Sequence, residues 1–174
     1  MGSYSFGKLE VVQWIKCNFP LDASILDVGA CDAAWRKYLL EYENMDCVEA
    51  FKFNWVYCKM WYRQAFLSDV KDLEYDHYDL IIFGDVIEHM DVETAQKVIE
   101  YAWPRCNDMI IAVPWEFKQG ELYGNPYERH IQDDLTPEIF NQRYPGFTVL
   151  HDTGENYCYF HKGETNEQHQ KHTG

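Results

Sequence analysis

The hydrophobic positions of this chain fall into short continuous runs separated by stretches of a different period. "ASILDV" (23–28), "MDCVEA" (45–50), "YDLIIFG" (78–84) and "DMIIAVP" (108–114) carry few polar interruptions, the pattern of strands buried on both faces. Between them apolar residues return every three or four positions. Trp35, Tyr38, Leu39 and Tyr42 predict a helix over 34–43, and Trp55, Cys58 and Trp61 or Tyr62 a second over 54–63. Val92, Ala95, Ile99 and Ala102 predict another, capped by Asp91 and stopped by Pro104. Leu9, Val12 and Ile15 mark an amphipathic helix at about 5–17, and "AFLS" (65–68) a short strand. "LTPEIF" (135–140) reads as a helix start, with Thr136 at the N-cap, Pro137 in the first helical position and Leu135 placed to pack on Phe140. "GFTVLHD" (146–152) and "NYCYFHK" (156–162) close the chain as two strands of an antiparallel hairpin.

Strands alternating with helices predict an α/β fold: a Rossmann-like, doubly wound, mostly parallel sheet with helices on both faces. No internal repeat or long linker divides the chain, so residues 1–163 are expected to form a single domain. The polar tail 164–174 is expected to be disordered. The connection 115–134 is longer than packing requires, which makes it the first candidate for a ligand-binding loop.

Composition narrows the partners. The 174 residues suffice for one buried core, and an aromatic content of 17% makes that core or a ligand cleft rich in rings. The formal net charge of −14 opposes nucleic acid and anionic membrane surfaces, and no basic run offsets it. The six cysteines form no C-x-x-C pair, and the start "MGSYSFGKLEVVQWIK" lacks the form of a secretion signal. Reduced thiols and a cytoplasmic location are therefore expected. No apolar run approaches the length of a membrane span.

The candidate chemistry starts at "ILDVGACDAAWRKYLL" (25–40). A buried strand enters the turn at Asp27, Val28 and Gly29, but Cys31 and Ala33 stand where a dinucleotide-binding turn needs glycine, with Asp32 between them. The G-x-x-x-x-G-K pattern of nucleoside triphosphate sites is also absent. A phosphate ligand fits such a turn badly, whereas a cationic nucleoside without phosphate fits it better; S-adenosylmethionine is one. Glu49 closes the second strand about twenty residues later, the separation at which an acid holds ribose hydroxyls. Asp69 follows the third strand, where it can accept an adenine amine, and Asp85 ends the fourth. Acids thus stand at four successive strand ends: 27, 49, 69 and 85.

In these features the chain resembles the class I S-adenosylmethionine-dependent methyltransferases of the small-molecule type. "ILDVGACDAAWRKYL" resembles their first motif, "CVEAF" their second and "YDLIIFGDVIEHM" their fourth, and the likeness spans roughly residues 20 to 162. The resemblance implies a seven-stranded sheet whose last strand runs antiparallel. It also implies that Asp27, Gly29 and Ala30 line the methionine moiety, with Cys31 beside them in the turn. Glu49 would hold the ribose, Ala50, Ser68, Asp69 and Val70 would flank the adenine, and Asp85 would close the pocket. The departure is at Cys31 and Ala33, where glycine would permit positive φ and close ligand approach, so weakened binding is expected.

Methyl transfer from a sulfonium needs alignment and exclusion of water, and it needs a base only when the acceptor must lose a proton. His89, just past the fourth strand, is the first candidate base, although Glu88 and His89 can equally pin the following helix. His130, within "NPYERHI", is the second. Glu88, Tyr127, Glu128 and Arg129 are candidate substrate contacts, and Trp115 and Tyr123 can stack on a flat substrate or belong to the core. His151 and His161 read as structural. A metal would need ligands clustered at short spacing; Asp85, Glu88 and His89 are the nearest approach, and no metal is assigned. The resulting expectation is S-adenosylmethionine-dependent methylation of a small molecule, with oxygen favoured. The alternative is a catalytically inactive methyltransferase-fold module that binds a protein partner. A nicotinamide-dependent reductase is disfavoured by the missing glycines and by the absence of a Tyr-x-x-x-Lys pair.

Overall fold

In the computed structural model, which describes residues 7–163, the apolar runs pair into one seven-stranded sheet. Its strands are β1 (Ile25–Val28), β2 (Met45–Glu49), β3 (Gln64–Leu67), β4 (Tyr78–Gly84), β5 (Cys106–Pro114), β6 (Thr148–Asp152) and β7 (Tyr157–Gly163). They lie in the order β3-β2-β1-β4-β5-β7-β6, all parallel except β7, which runs antiparallel to both of its neighbours. Every residue of β1 and β2 is buried, as are six of the seven in β4, which is why these runs carry no alternation. The strand order reverses between β1 and β4, and their pairing sets Val28 beside Phe83.

The helices divide the core in two. On one face α1 (Lys8–Asn18), α2 (Ala34–Tyr38) and α3 (Lys52–Cys58) cover a cluster that includes Ile15, Trp35, Tyr42, Cys58, Ile82 and Tyr159. On the other, α4 (Val92–Ala102) and α5 (Pro137–Arg143) cover Ile81, Phe83, Ile99, Ile111, Phe140 and Phe160. Phe140 and Phe160 stack with centroids 3.7 Å apart. The predicted caps form: Asp91 accepts the Thr94 amide at 2.9 Å and Thr136 accepts that of Ile139 at 3.2 Å. Leu135 and Phe140 are both fully buried. Pro104 sits in the turn that follows α4.

Two helices differ from the periodicity reading. The helix expected over 34–43 ends at Tyr38, yet Leu39 and Tyr42 are still buried. The Arg36 guanidinium donates to the carbonyls of Leu39, Tyr42 and Trp61, so a side chain replaces the helical ladder and holds an irregular segment inward. The helix expected over 54–63 runs instead from Lys52 to Cys58. Successive turns onto the Tyr57 and Cys58 carbonyls then carry Tyr62 into the core, where its hydroxyl donates to Asp27. The first helix begins at Lys8, later than the expected start, and the tail 164–174 lies outside the described residues. Among the described residues no helix is long and apolar enough to cross a membrane.

Candidate functional site

The carboxyl ends of β1 to β4 open on one edge of the sheet at the point of order reversal, where α/β sheets hold ligands. A cleft of about 410 Å³ lies there, roofed by the segment 119–131 of the long β5–α5 connection.

The turn after β1 forms its floor. Gly29, Cys31 and Ala33 all adopt left-handed backbone, with φ of 71°, 47° and 60°. The glycine-turn conformation is thus kept where two of the three residues carry a side chain, at roughly 1–2 kcal/mol each. Neighbours compensate. The Cys31 amide donates to Glu49 Oε2 at 2.8 Å, Cys58 Sγ donates to the Cys31 carbonyl at 3.5 Å, and Asn54 Nδ2 donates to Cys31 Sγ at 3.6 Å. Asp32 does not line the cleft; its carboxylate meets Lys37 at 3.4 Å, so what the turn presents to a ligand is the Cys31 Cβ and thiol, without the expected negative charge. Replacing Cys31 with glycine relieves the strain but frees the unfolded chain, so a net gain of about 0.5–1 kcal/mol is expected. A rise in the urea midpoint measures it.

Glu49, at the end of β2, is 5% exposed and spends one oxygen on the Cys31 amide and the other on the Phe51 amide at 2.7 Å. Burial raises its pKa, and those two amide bonds oppose the rise. Both oxygens keep a lone pair for a ligand diol. Asp69 caps the turn Val70–Asp72 through the Lys71 amide and meets Lys71 Nζ at 2.9 Å. Asp85, held at φ 55°, accepts the Tyr157 hydroxyl at 2.7 Å on Oδ1, while its buried Oδ2 has no hydrogen-bond partner among the described residues.

The opposite wall is built from the turn Ile87–His89 and the long loop. The Ile131 and Gln132 amides donate to the Glu88 carbonyl at 2.8 and 3.0 Å, and buried Gln132 reaches the Ile87 and Met90 carbonyls with its Nε2. Gln132 Oε1 accepts the Tyr144 hydroxyl at 2.8 Å. These bonds bring two distant histidines together, with the His89 and His130 ring centroids 4.8 Å apart. The Nδ1 of His89 pairs with the Arg129 carbonyl at 3.1 Å and that of His130 with the Phe117 carbonyl at 2.7 Å. A carbonyl only accepts, so each Nδ1 carries the proton and each Nε2 keeps its lone pair. Burial lowers both pKa values, most strongly opposed in each case by the carbonyl bond. Gln132→Ala removes four side-chain hydrogen bonds, to the Ile87 and Met90 carbonyls, the Tyr144 hydroxyl and the Arg143 guanidinium, and is expected to cost about 1–2 kcal/mol. Urea unfolding reads the loss, and faster amide exchange at Ile131 its local origin.

Of the residues singled out from the sequence, Gly29, Cys31, Glu49, Ala50, Ser68, Asp69, Val70, Asp85, His89, Tyr127, Glu128 and His130 line the cleft. Asp27 and Ala30 are buried beneath it, and Glu88 is buried behind its wall with no exposed surface. Trp115 packs against the α4–α5 core, Arg129 pairs with Glu121 on the surface, and Tyr123 is 82% exposed away from the cleft. Asn54, Gln119 and Asn125 line the cleft although the sequence reading passed over them. Asn125 braces the loop by accepting the Tyr127 amide at 3.0 Å; the Asn-Pro turn "NPYE" was its visible signal.

No protein-family model matches the chain, and no curated protein does. Solved structures do. The chain is similar to an S-adenosylmethionine-dependent methyltransferase from Clostridium acetobutylicum at 10% identity, with a TM-score of 0.67 and coverage of 94% of this chain and 93% of that one. It is similar to a TehB-like SAM-dependent methyltransferase from Corynebacterium glutamicum at 13% identity, with a TM-score of 0.66 over 94% and 90%. A third is the 1,6-didemethyltoxoflavin-N1-methyltransferase of Burkholderia thailandensis, solved with its substrate and S-adenosylhomocysteine, at 17% identity and a TM-score of 0.63 over 92% and 80%. What these chains share with this one is the fold, over nearly its full length.

Proposed function

We propose that this chain, which has the fold of the class I S-adenosylmethionine-dependent methyltransferases, binds S-adenosylmethionine in the strand-end cleft and transfers its methyl group to a small molecule, with oxygen the favoured acceptor. The observation that carries this reading is the turn Gly29–Ala33, held in left-handed backbone at three positions and tied to Glu49. Strain kept despite two side chains marks a turn whose shape serves a ligand. The cleft adds a matching field: Glu49, Asp69, Asp85, Asp91 and Glu128 line it, and Lys71, the one lysine among the described residues that does so, is paired with Asp69. That field suits a sulfonium and an ammonium.

In this reading Glu49 holds the ribose diol, Ala50, Ser68, Asp69 and Val70 surround the adenine, and Gly29, Cys31 and Asp85 face the methionine end. Activation of the acceptor hydroxyl falls to the His89–His130 pair on the cleft wall, whose Nδ1 atoms are held by backbone carbonyls. Tyr127 and Glu128 also line the cleft and would contact the acceptor. The toxoflavin-type neighbour methylates a small molecule, which supports the same class of acceptor here. Calorimetric titration with S-adenosylmethionine and S-adenosylhomocysteine tests the cofactor, and transfer of labelled methyl groups to a panel of hydroxylated small molecules tests the chemistry. Micromolar binding is expected. A folded protein that binds neither at millimolar concentration would sink the reading and favour a non-catalytic module for a protein partner.

A further inference from the structure

Behind the cleft wall lies a group that methyl transfer by the histidines alone leaves unexplained. Glu88 has no exposed surface, and among the described residues neither of its carboxylate oxygens has a hydrogen-bond partner. A buried carboxylate in that condition is costly unless a cation or a proton meets it. One of its oxygens and one ring nitrogen each from His89 and His130 lie within 4.8 Å of one another, with Glu88 Oε1 4.0 Å from His89 Nε2.

We propose that Glu88, His89 and His130 form a site for a divalent first-row metal ion on the cleft wall. Two arguments support it. The donor set of two imidazoles and one carboxylate suits such ions and leaves coordination positions open. Each histidine is already oriented as a ligand, its Nδ1 proton given to a backbone carbonyl and its Nε2 lone pair free, the arrangement that fixes the tautomer of metal-bound histidines. Ligands about 2.1 Å from one ion stand roughly 3–3.5 Å apart, so the three groups need to close by about an ångström.

The ion also defines an acceptor class, and this part rests on the methyl-transfer reading above. His89 and His130 line the cleft, so positions left open on the ion would be within reach of a bound acceptor and would take oxygen; the acceptor is then a hydroxylated small molecule that can ligate a metal. Coordination lowers the pKa of the hydroxyl, whose proton passes to solvent. The oxygen then bonds to the methyl carbon while the C–S bond breaks and its electron pair returns to sulfur, leaving S-adenosylhomocysteine. In this arrangement the histidines act through the metal instead of accepting the proton themselves.

The test uses the untagged full chain and cobalt(II), followed by its visible ligand-field absorption and by calorimetry. One equivalent is expected to bind, with affinity falling at least tenfold in His130→Ala and in Glu88→Gln. Thermal unfolding of each variant checks that it folds. His130 lies half-buried on a loop, so its variant keeps the test decisive if Glu88→Gln does not fold. Absence of cobalt binding by the folded wild-type chain, or undiminished binding by His130→Ala, overturns the site. S-adenosylmethionine binding is measured in parallel. Cobalt binding lost on His130→Ala in a chain that never binds S-adenosylmethionine upholds the metal site while removing the methyl-transfer reading.

Discussion

Glu49→Ala is expected to reduce S-adenosylmethionine affinity by at least a hundredfold, to the point where calorimetry detects no binding. The carboxylate serves two ends at once. Toward the protein it accepts the Cys31 and Phe51 amides, which holds the strained turn after β1 against the end of β2. Toward the cleft it has lone pairs left for two ribose hydroxyls. Charge-assisted hydrogen bonds of this kind contribute about 1.5–3 kcal/mol each, and a hundredfold loss corresponds to about 2.7 kcal/mol. Losing the diol contacts reaches that figure without the brace. Glu49→Gln separates the two ends, because its amide retains one acceptor oxygen but presents donors where an acceptor is needed. It is expected to bind better than Glu49→Ala and worse than wild type. Wild-type affinity in a folded Glu49→Ala protein would remove the cofactor from this end of the cleft.

The sheet was legible along the chain because its central strands are buried on both faces and leave continuous apolar runs. The ends of the two early helices were not. Periodicity registers which residues are buried and is blind to how the backbone brings them there. Leu39 and Tyr42 keep helical spacing in a segment that Arg36 holds through its guanidinium. The row of acids at strand ends was visible as spacing, but position in the row did not reveal direction. Glu49, Asp69 and Asp85 face the cleft, whereas Asp27 lies one residue short of the strand's end and turns into the core. The meeting of His130 with Glu88 and His89 was out of reach. Forty residues separate them, and what joins them is a set of bonds from Ile131 and Gln132 to a short turn, which no periodicity announces.

That inward turn of Asp27 makes the folded state sensitive to pH, and stability is expected to fall as pH rises from about 4 to 7. Burial raises the Asp27 pKa from 3.8 to about 7, opposed by the Tyr62 hydroxyl that donates to it and by the nearby Lys8 ammonium. In the unfolded chain the carboxyl ionises near 3.8, so between the two values the folded state holds a proton that the unfolded state has released. Stability therefore decreases with rising pH through that window. At about 1.4 kcal/mol per unit the full effect is on the order of 4 kcal/mol, less whatever the buried pair with Lys8 returns. Glu88, whose pKa burial and the charge of Asp85 raise, acts in the same direction, whereas His89 and His130, whose pKa burial lowers from 6.5, act against it. Lys8, whose pKa burial lowers, acts in the opposite direction, so the comparison of wild type with a variant at position 27 isolates the Asp27 share. Asp27→Asn removes the ionisable group while its side-chain oxygen can still accept the Tyr62 hydroxyl. The new amide NH₂ takes the place of Asp27 Oδ1, which has no hydrogen-bond partner among the described residues, and offsets part of the gain. Urea midpoints between pH 5 and 7.5 should therefore fall more gently in Asp27→Asn than in wild type, with the variant the more stable at the upper end by about 1–2 kcal/mol. Parallel profiles for the two proteins would mean that Asp27 ionises in the core as readily as in water, with Lys8 as its full counter-charge.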